Sequence, residues 1–436
     1  MSCIIAAAAL AAVVPRGLPD PARFRYWVDY QALSSLESAA LAERALQALG
    51  GVRTGGPPKL DPISAQKQKI RDYGYMHMGA WDLLLSITAK AMLAAEVLRP
   101  GQLVSIVPGC LAISRKTSLV RSLLNAYGPE VAFSLVPVTF KLPEELDDWA
   151  EWVRQHPDQD PGLWMLKNNK QRGTGLRLVP TAEAFRACFE TCTRPGLEGM
   201  RLYRWYLAQR YVTDPLLING RKFGLRLWAL VPGARPLRAY LHANGLALFS
   251  SELYRPEDAG KPSAGGVAAG HITNYAQNEN GEVWDLPRLA AHVGLGKWRG
   301  LWRKSTFQYF GLDFLVDASL HPWLMEANAT PSMKVAHEDP ATQQVIHDAK
   351  WPVVRDMFTL LQVGPQRFNQ EATGHEATIP EVEAELQLRG GFFPLMHLFP
   401  REEDTPGLSI PWTPADARLR EWMASSSTYQ TAIAGG

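Results

Sequence analysis

The runs FGLDFLVD at 310–317 and PWLMEAN at 322–328 decide the architecture. Both are short and apolar, and the few residues between them leave no room for a crossover helix, so they read as antiparallel neighbours. Working outward, similar runs recur at GLWMLK (162–167), LRLV (176–179), AQRYV (208–212), KFGLRLWALV (222–231), PLRAYL (236–241) and LALFS (246–250). Their hairpin-like spacing predicts a mostly antiparallel sheet over the second half of the chain. The first half alternates. Residues 24–50 and WDLLLSITAKAMLAAEVL (81–98) read as helices, LVSIV (103–107) as a strand, 115–127 as a helix and FSLVPVTF (133–140) as a strand. Thr181 is expected to cap the next helix, 255–270 to be a mobile surface loop, and 338–362 to be a helix closing the block. The class is therefore α+β.

The chain has 436 residues, 45 Lys and Arg against 43 Asp and Glu, and 46% hydrophobic residues including 14 Trp. Such a chain buries a real core, which excludes wholesale disorder and suggests more than one lobe. A formal net charge of +2 gives no bulk attraction to nucleic acid or anionic membrane. Four cysteines are too few for a disulfide scaffold, and Cys188 and Cys192 read as packing residues. The apolar start MSCIIAAAALAAVV is too short to span a bilayer and lacks a preceding Lys or Arg. It reads as a cytosolic leader, or as a signal peptide directing the chain to a secretory compartment. No membrane span is expected.

Two phosphate-binding motifs are absent. Arg115 stands where a Walker loop before Lys116-Thr117 needs glycine, and Leu178 breaks the dinucleotide pattern after Gly173 and Gly175. What remains is a strand ending in Lys167, then a loop with Lys170, Arg172, Gly173 and Gly175, whose glycines admit phosphate oxygens and whose cations neutralise them. Taken alone, that loop is better read as a solvated surface hairpin. Alternation puts Lys222, Gly224 and Arg226 on one face of a strand, with Arg238 on the next; an ordinary solvent-facing strand is the alternative. Asp313, Glu326 and Asn328 form an oxygen-only set suited to Mg²⁺, or else a structural pairing with an arginine. Cations on some strands and a magnesium-like set on others together describe an ATP site without a Walker loop.

The order of these segments resembles the tubulin–tyrosine ligase-like family, amino-acid ligases with an ATP-grasp fold, from about Trp81 to Met333. WDLLLS, GCLAISRKTSLVRSL, LWMLKNNKQRGTGL, AQRYVTDPLLINGRKFGLRLWALV, LRAYLHANGLALFSSELY, HITNYA, FQYFGLDFLVD and PWLMEANATPSM carry it. The resemblance implies an N-terminal α/β lobe (71–150) after a divergent leader and helical region (1–70). A small central lobe (151–210), a larger sheet lobe with the magnesium site (211–365) and an extension acting as a structural cap (366–436) would follow. It also implies that Lys116 and Lys167 contact phosphates, as part of a loop with Arg172, Gly173 and Gly175. Backbone near Gln209 and Tyr211 would hold adenine. Lys222 would sit by the nucleotide, and Arg226 and Arg238 would hold the acyl phosphate or the amino acid. His271, Thr273 and Asn274 would line the cleft, and Asp313, Glu326 and Asn328 would bind Mg²⁺. The family usually has Asp where this chain has Gly224.

The implied function is ATP-dependent addition of a free amino acid, glutamate favoured, to tubulin or another protein with an acidic tail, by a cytoplasmic, cytoskeleton-associated monomer. A catalytically weak binding module, or a ligase for a different protein, are the alternatives. The run RLYRWYLAQR (201–210) is either a basic patch for an acidic tail or an amphipathic helix with solvent-facing arginines.

Overall fold

The computed structural model describes residues 23–29, 36–54, 81–86, 101–107, 109–157, 162–168, 175–192, 202–233, 236–259, 261, 267–273, 281–286, 288–289, 306–369, 378–398 and 413–434. The leader, Lys170, Arg172, Gly173 and Asn274 lie outside these residues.

The first described sheet is parallel throughout. It is built from β1 (Phe24–Val28), β2 (Gly51–Arg53), β3 (Leu83–Leu85) and β4 (Leu103–Val104), in the order β2-β1-β3-β4. Helix α1 (Leu36–Ala48) connects β1 to β2. Two expectations are corrected here. FRYWV at 24–28 is a strand rather than the start of a helix, and LLL at 83–85 is a strand rather than part of one. Both are nearly uniformly buried, and a strand covered on both faces shows no alternation to separate it from a buried helix.

Helices α2 (Leu111–Ser114) and α3 (Lys116–Leu135) lead away from this sheet. Gly128, at φ 75° and outside helical geometry, breaks α3 into two helical segments at a kink, with Pro129 following it; FSL at 133–135 ends the second segment, Val136 is extended, and strand β5 spans only Thr139–Lys141. Strand β5 joins β6 (Leu163–Lys167), β7 (Leu176–Pro180) and β10 (Leu207–Arg210) in an antiparallel sheet ordered β5-β10-β6-β7. Helices α4 (Leu146–Gln155) and α5 (Thr181–Ala187) flank a core of Phe140, Trp149, Trp164 and Trp205. Thr181 does not cap α5. Pro180 holds that position, and the Thr181 hydroxyl donates to the Gly162 carbonyl across the start of β6. RLYRWYLAQR is not helical either; it contributes β9 (Leu202–Tyr203), paired with β8 (Thr191–Cys192), and then β10.

The largest sheet is antiparallel and seven-stranded. Its path is β14 (Val283–Asp285), β13 (Tyr240–Phe249), β12 (Arg221–Val231), β15 (Gln308–Val316) and β16 (Pro322–Asn328), with β11 (Leu217–Ile218) on β12 and β17 (Phe392–Pro394) on β13. Helix α6 (Pro340–Leu360) packs on it through Ile346, Ala349, Val353 and Met357, and the Asp339 side chain caps its N-terminus. Short α7 (Pro365–Asn369) follows, then α8 (Ile379–Gln387), α9 (Pro414–Ser425) and α10 (Ser427–Ala434). The described parts of 255–270 are not simply loop surface, because Val267 and then Ile272 are buried with Met165, Leu178 and Tyr211. No helix among the described residues is long and apolar enough to cross a membrane.

Candidate active site

The antiparallel register sets three charged side chains in one row. Arg226 on β12 faces Asp313 on β15, and Asp313 faces Glu326 on β16. Directly opposed residues share a face of the sheet, so all three project the same way. The Arg226 guanidinium clamps the Asp313 carboxylate, through Nε and through Nη2 at 2.8 Å. Asn328 donates its amide to the same carboxylate at 3.1 Å. Burial works against the Arg226 charge, but Asp313 outweighs it and raises the guanidinium above its ordinary value. Gly311 makes the clamp possible: a Cβ there would lie 3.1 Å from Arg226 Cδ and 2.7 Å from Pro331.

Lysines surround this row. Lys350 lies on the buried face of α6, and burial together with the Arg226 charge pushes its ammonium down to about 7. Its Nζ donates to the Lys334 carbonyl at 2.6 Å. Lys222 is buried on the β12 face that carries Arg226; burial and Lys167 lower it to about 7. Lys167, at the end of β6, is lowered to about 8 by burial and by Lys116, the first residue of α3, while Glu326 pulls the other way. Gln209 holds Lys167 at 2.6 Å and is itself held by Thr139 at 2.9 Å. Five cations thus lie in one electrostatically connected group with two carboxylates. Burial together with neighbouring cations holds the Lys167, Lys222 and Lys350 ammonium groups below the ordinary lysine value.

A second layer covers Lys222. The Tyr211 hydroxyl lies 3.0 Å from Lys222 Nζ and 2.8 Å from His271 Nδ1, and Lys222 also stands 4.3 Å over the Tyr211 ring. Thr273 sits above Gly224, where a Cβ would approach its hydroxyl to 3.0 Å. At the base of the β6–β7 hairpin, Gly175 has φ 79° and the Asn168 side chain occupies the space a Cβ would need.

The structure therefore brings together Lys116, Lys167, Lys222, Arg226, His271, Thr273, Gln209, Tyr211, Asp313, Glu326 and Asn328. Arg238 is not among them. It is fully buried and paired through two nitrogens with Glu385 of α8, which also accepts from the Tyr240 hydroxyl. Near Gln209 and Tyr211, where adenine contacts are expected, the Arg210 and Tyr211 amides donate to the Val138 and Leu163 carbonyls. Lys350 was missed. The available signal was a lysine in the apolar stripe of a helix, four residues after Ile346 and three before Val353.

Asp313, Glu326 and Asn328 are chemically suited to a hard divalent cation, with Glu326 having no hydrogen-bond partner among the described residues. Two carboxylates and an amide do not complete a cage, and the described residues contain no group of three His, Cys, Asp or Glu placed to hold a metal. A Mg²⁺ held here would take its remaining oxygens from phosphate and water.

The family model described as the tubulin-tyrosine ligase family matches residues 95–304 and 301–370. Among curated proteins, the chain is 25% identical over 279 residues to a probable alpha-tubulin polyglutamylase, Ttll1, of Tetrahymena thermophila, covering 56% of this chain and 64% of that one. It is 25% identical over 356 residues to a probable human tubulin polyglutamylase, TTLL2, covering 71% and 55% respectively. The human tubulin polyglutamylase TTLL5 is 28% identical over 315 residues, covering 61% of this chain and 22% of the relative. The chain thus spans less than two thirds of the length of these relatives.

Proposed function

The chain belongs to the tubulin-tyrosine ligase family, and we propose that it is an ATP-dependent ligase, with the ATP-grasp organisation, joining a free amino acid to a protein carboxylate through an acyl phosphate. The observation that carries this reading is the cluster of cations, Lys167, Lys222, Arg226 and Lys350, gathered around Asp313 and Glu326 and outnumbering them. Such a surplus is stabilised by a polyanion, and a nucleoside triphosphate supplies one. Glutamate as the amino acid and tubulin as the acceptor rest on the relatives being named tubulin polyglutamylases.

In this reading Lys116, Lys167 and Lys222 hold the phosphates, with Gln209 fixing Lys167. Transfer of the γ-phosphoryl group to the acceptor carboxylate spreads negative charge that these cations stabilise in a site shielded from water. Arg226, oriented by Asp313, would hold the acyl phosphate, and Lys350, whose charge Arg226 influences, would hold a carboxylate of the incoming amino acid. The amine then attacks the acyl carbon, phosphate departs and an amide forms. Asp313, Glu326 and Asn328 would hold Mg²⁺, which neutralises phosphate charge when bound.

Incubation of purified tubulin with ATP, Mg²⁺ and labelled glutamate, glycine or tyrosine tests the reading. Incorporation of one amino acid, lost in Glu326→Gln, is expected. ATP binding without incorporation into any acceptor would favour a binding module.

A further inference from the structure

His271 and Tyr211 form a directed hydrogen-bond chain that ends on a buried lysine. His271 Nε2 lies 3.0 Å from the Arg255 carbonyl, which only accepts, so Nε2 carries the proton. Nδ1 is then an acceptor, and it takes the Tyr211 hydroxyl proton at 2.8 Å, in competition with the Tyr254 hydroxyl oxygen, whose own proton goes to the Thr213 carbonyl at 2.7 Å. With its proton committed, the Tyr211 oxygen offers lone pairs to Lys222 Nζ at 3.0 Å, the one hydrogen-bond partner of that ammonium among the described residues. All three side chains are buried, at 3%, 6% and 5% exposure for His271, Tyr211 and Lys222.

We propose that His271 is a positioning residue that acts on nucleotide through Tyr211 and Lys222, orienting the Lys222 ammonium toward the phosphates. The proposal rests on the reading of this cleft as an ATP site. The imidazole fixes which way the tyrosine hydroxyl points, the hydroxyl fixes the lysine, and the lysine meets the anion. The segment carrying His271 is anchored independently: Ile272 and Val267 pack against Met165 and Leu178 of the β6–β7 hairpin, so the chain ties that hairpin to β12.

The chain works only with neutral imidazole. Protonated Nδ1 would donate to Tyr211, take its lone pair from Lys222 and add a second charge beside the ammonium. Burial and Lys222 lower the His271 pKa, while the Arg255 carbonyl, Asp258 and Glu257 oppose them. Tyr254 packs against the imidazole at 4.8 Å between ring centres. ATP affinity should therefore fall on the acid side, below the ordinary histidine value of 6.5.

The test is equilibrium binding of Mg·ATP by full-length wild type, Tyr211→Phe, His271→Phe, His271→Asn and the Tyr211→Phe/His271→Phe double variant, each first checked for unchanged thermal unfolding. Tyr211→Phe and His271→Phe are each expected to weaken binding about tenfold, the value of one charge-assisted hydrogen bond. The double variant should be no weaker than either single one. Asparagine, whose side-chain oxygen replaces Nδ1 as acceptor, should recover most of the loss and abolish the acid limb. Wild type that binds ATP while Tyr211→Phe stays within twofold of it, or an acid limb that survives in His271→Asn, would overturn the proposal. Wild type that fails to bind ATP at all would instead overturn the ATP-site reading beneath it.

Discussion

Arg226 is held so tightly by Asp313 that the two act as one unit, and Lys167, Lys222 and Lys350 are buried around them. That arrangement gives a signed pH dependence. Lys222 and Lys350, at about 7, and Lys167, at about 8, bind fewer protons in the folded chain than in the unfolded one, where lysine titrates near 10.5. Stability of the ATP-free protein should therefore rise with pH from about 7 toward 10, as measured by thermal unfolding. Binding of ATP needs the charged lysines, so its affinity should fall over the same range, with proton uptake visible by calorimetry in buffers of different ionisation heat. Substituting Lys350→Met should raise the KM for the amino acid about tenfold with little change in that for ATP, if one charged hydrogen bond is lost. These positions differ in how far they were legible. Lys222 and Arg226 followed from alternation along one strand, and Asp313 and Glu326 from acidic residues inside apolar runs. Arg238 was misplaced because PLRAYL was treated as lying beside KFGLRLW. The register instead pairs Arg226 with Leu246 and begins β13 at Tyr240, which puts Arg238 roughly 25 Å along the sheet from the site.

At the scale of elements, the antiparallel strands declare themselves by alternation and the parallel ones do not. Strands β12, β15 and β16 each mix buried and half-buried positions, whereas Leu83–Leu85 is buried at every residue, and a buried run of that length carries no period. RLYRWYLAQR misled for a related reason: its arginines suggest a helical polar face, yet Leu207, Ala208 and Gln209 are the buried centre of a sheet. Gly311 is the element-level constraint on the site. Its register opposite Trp228 and Asn328 leaves room for the Arg226 side chain and for Pro331. Gly311→Val should destabilise the fold by about 1–3 kcal/mol through overpacking. It should also cost more activity than its stability loss explains, read as kcat/KM at a temperature where the variant remains folded.

At the scale of the whole molecule, the segment after residue 366 closes the large sheet. Strand β17 pairs with the Tyr240–His242 half of β13, leaving β14 to pair with Leu246–Leu248. Glu385 of α8 takes the buried Arg238 guanidinium, and Asp416 of α9 accepts from the Leu237 amide at 2.8 Å. Asp356 of α6 joins His242 to the Gly391 amide. Glu385→Ala should cost about 3–5 kcal/mol in denaturant unfolding, because it leaves a buried arginine unpaired. A chain ending near 366 should fail to accumulate as soluble protein, since β13 would expose an unpaired edge. The sequence marked this segment only as a cap, because its contacts are single polar anchors distant in the chain and no local pattern announces them.

The central claim is that ATP activates an acceptor carboxylate as an acyl phosphate within the Lys–Arg–carboxylate cluster. It is tested most directly by supplying acceptor peptide with ¹⁸O-labelled carboxylates and following the label by mass spectrometry of the released phosphate. The account predicts one ¹⁸O transferred to inorganic phosphate for each amide formed, abolished in Glu326→Gln. Label appearing in AMP, or amide formation with unlabelled phosphate, would contradict it.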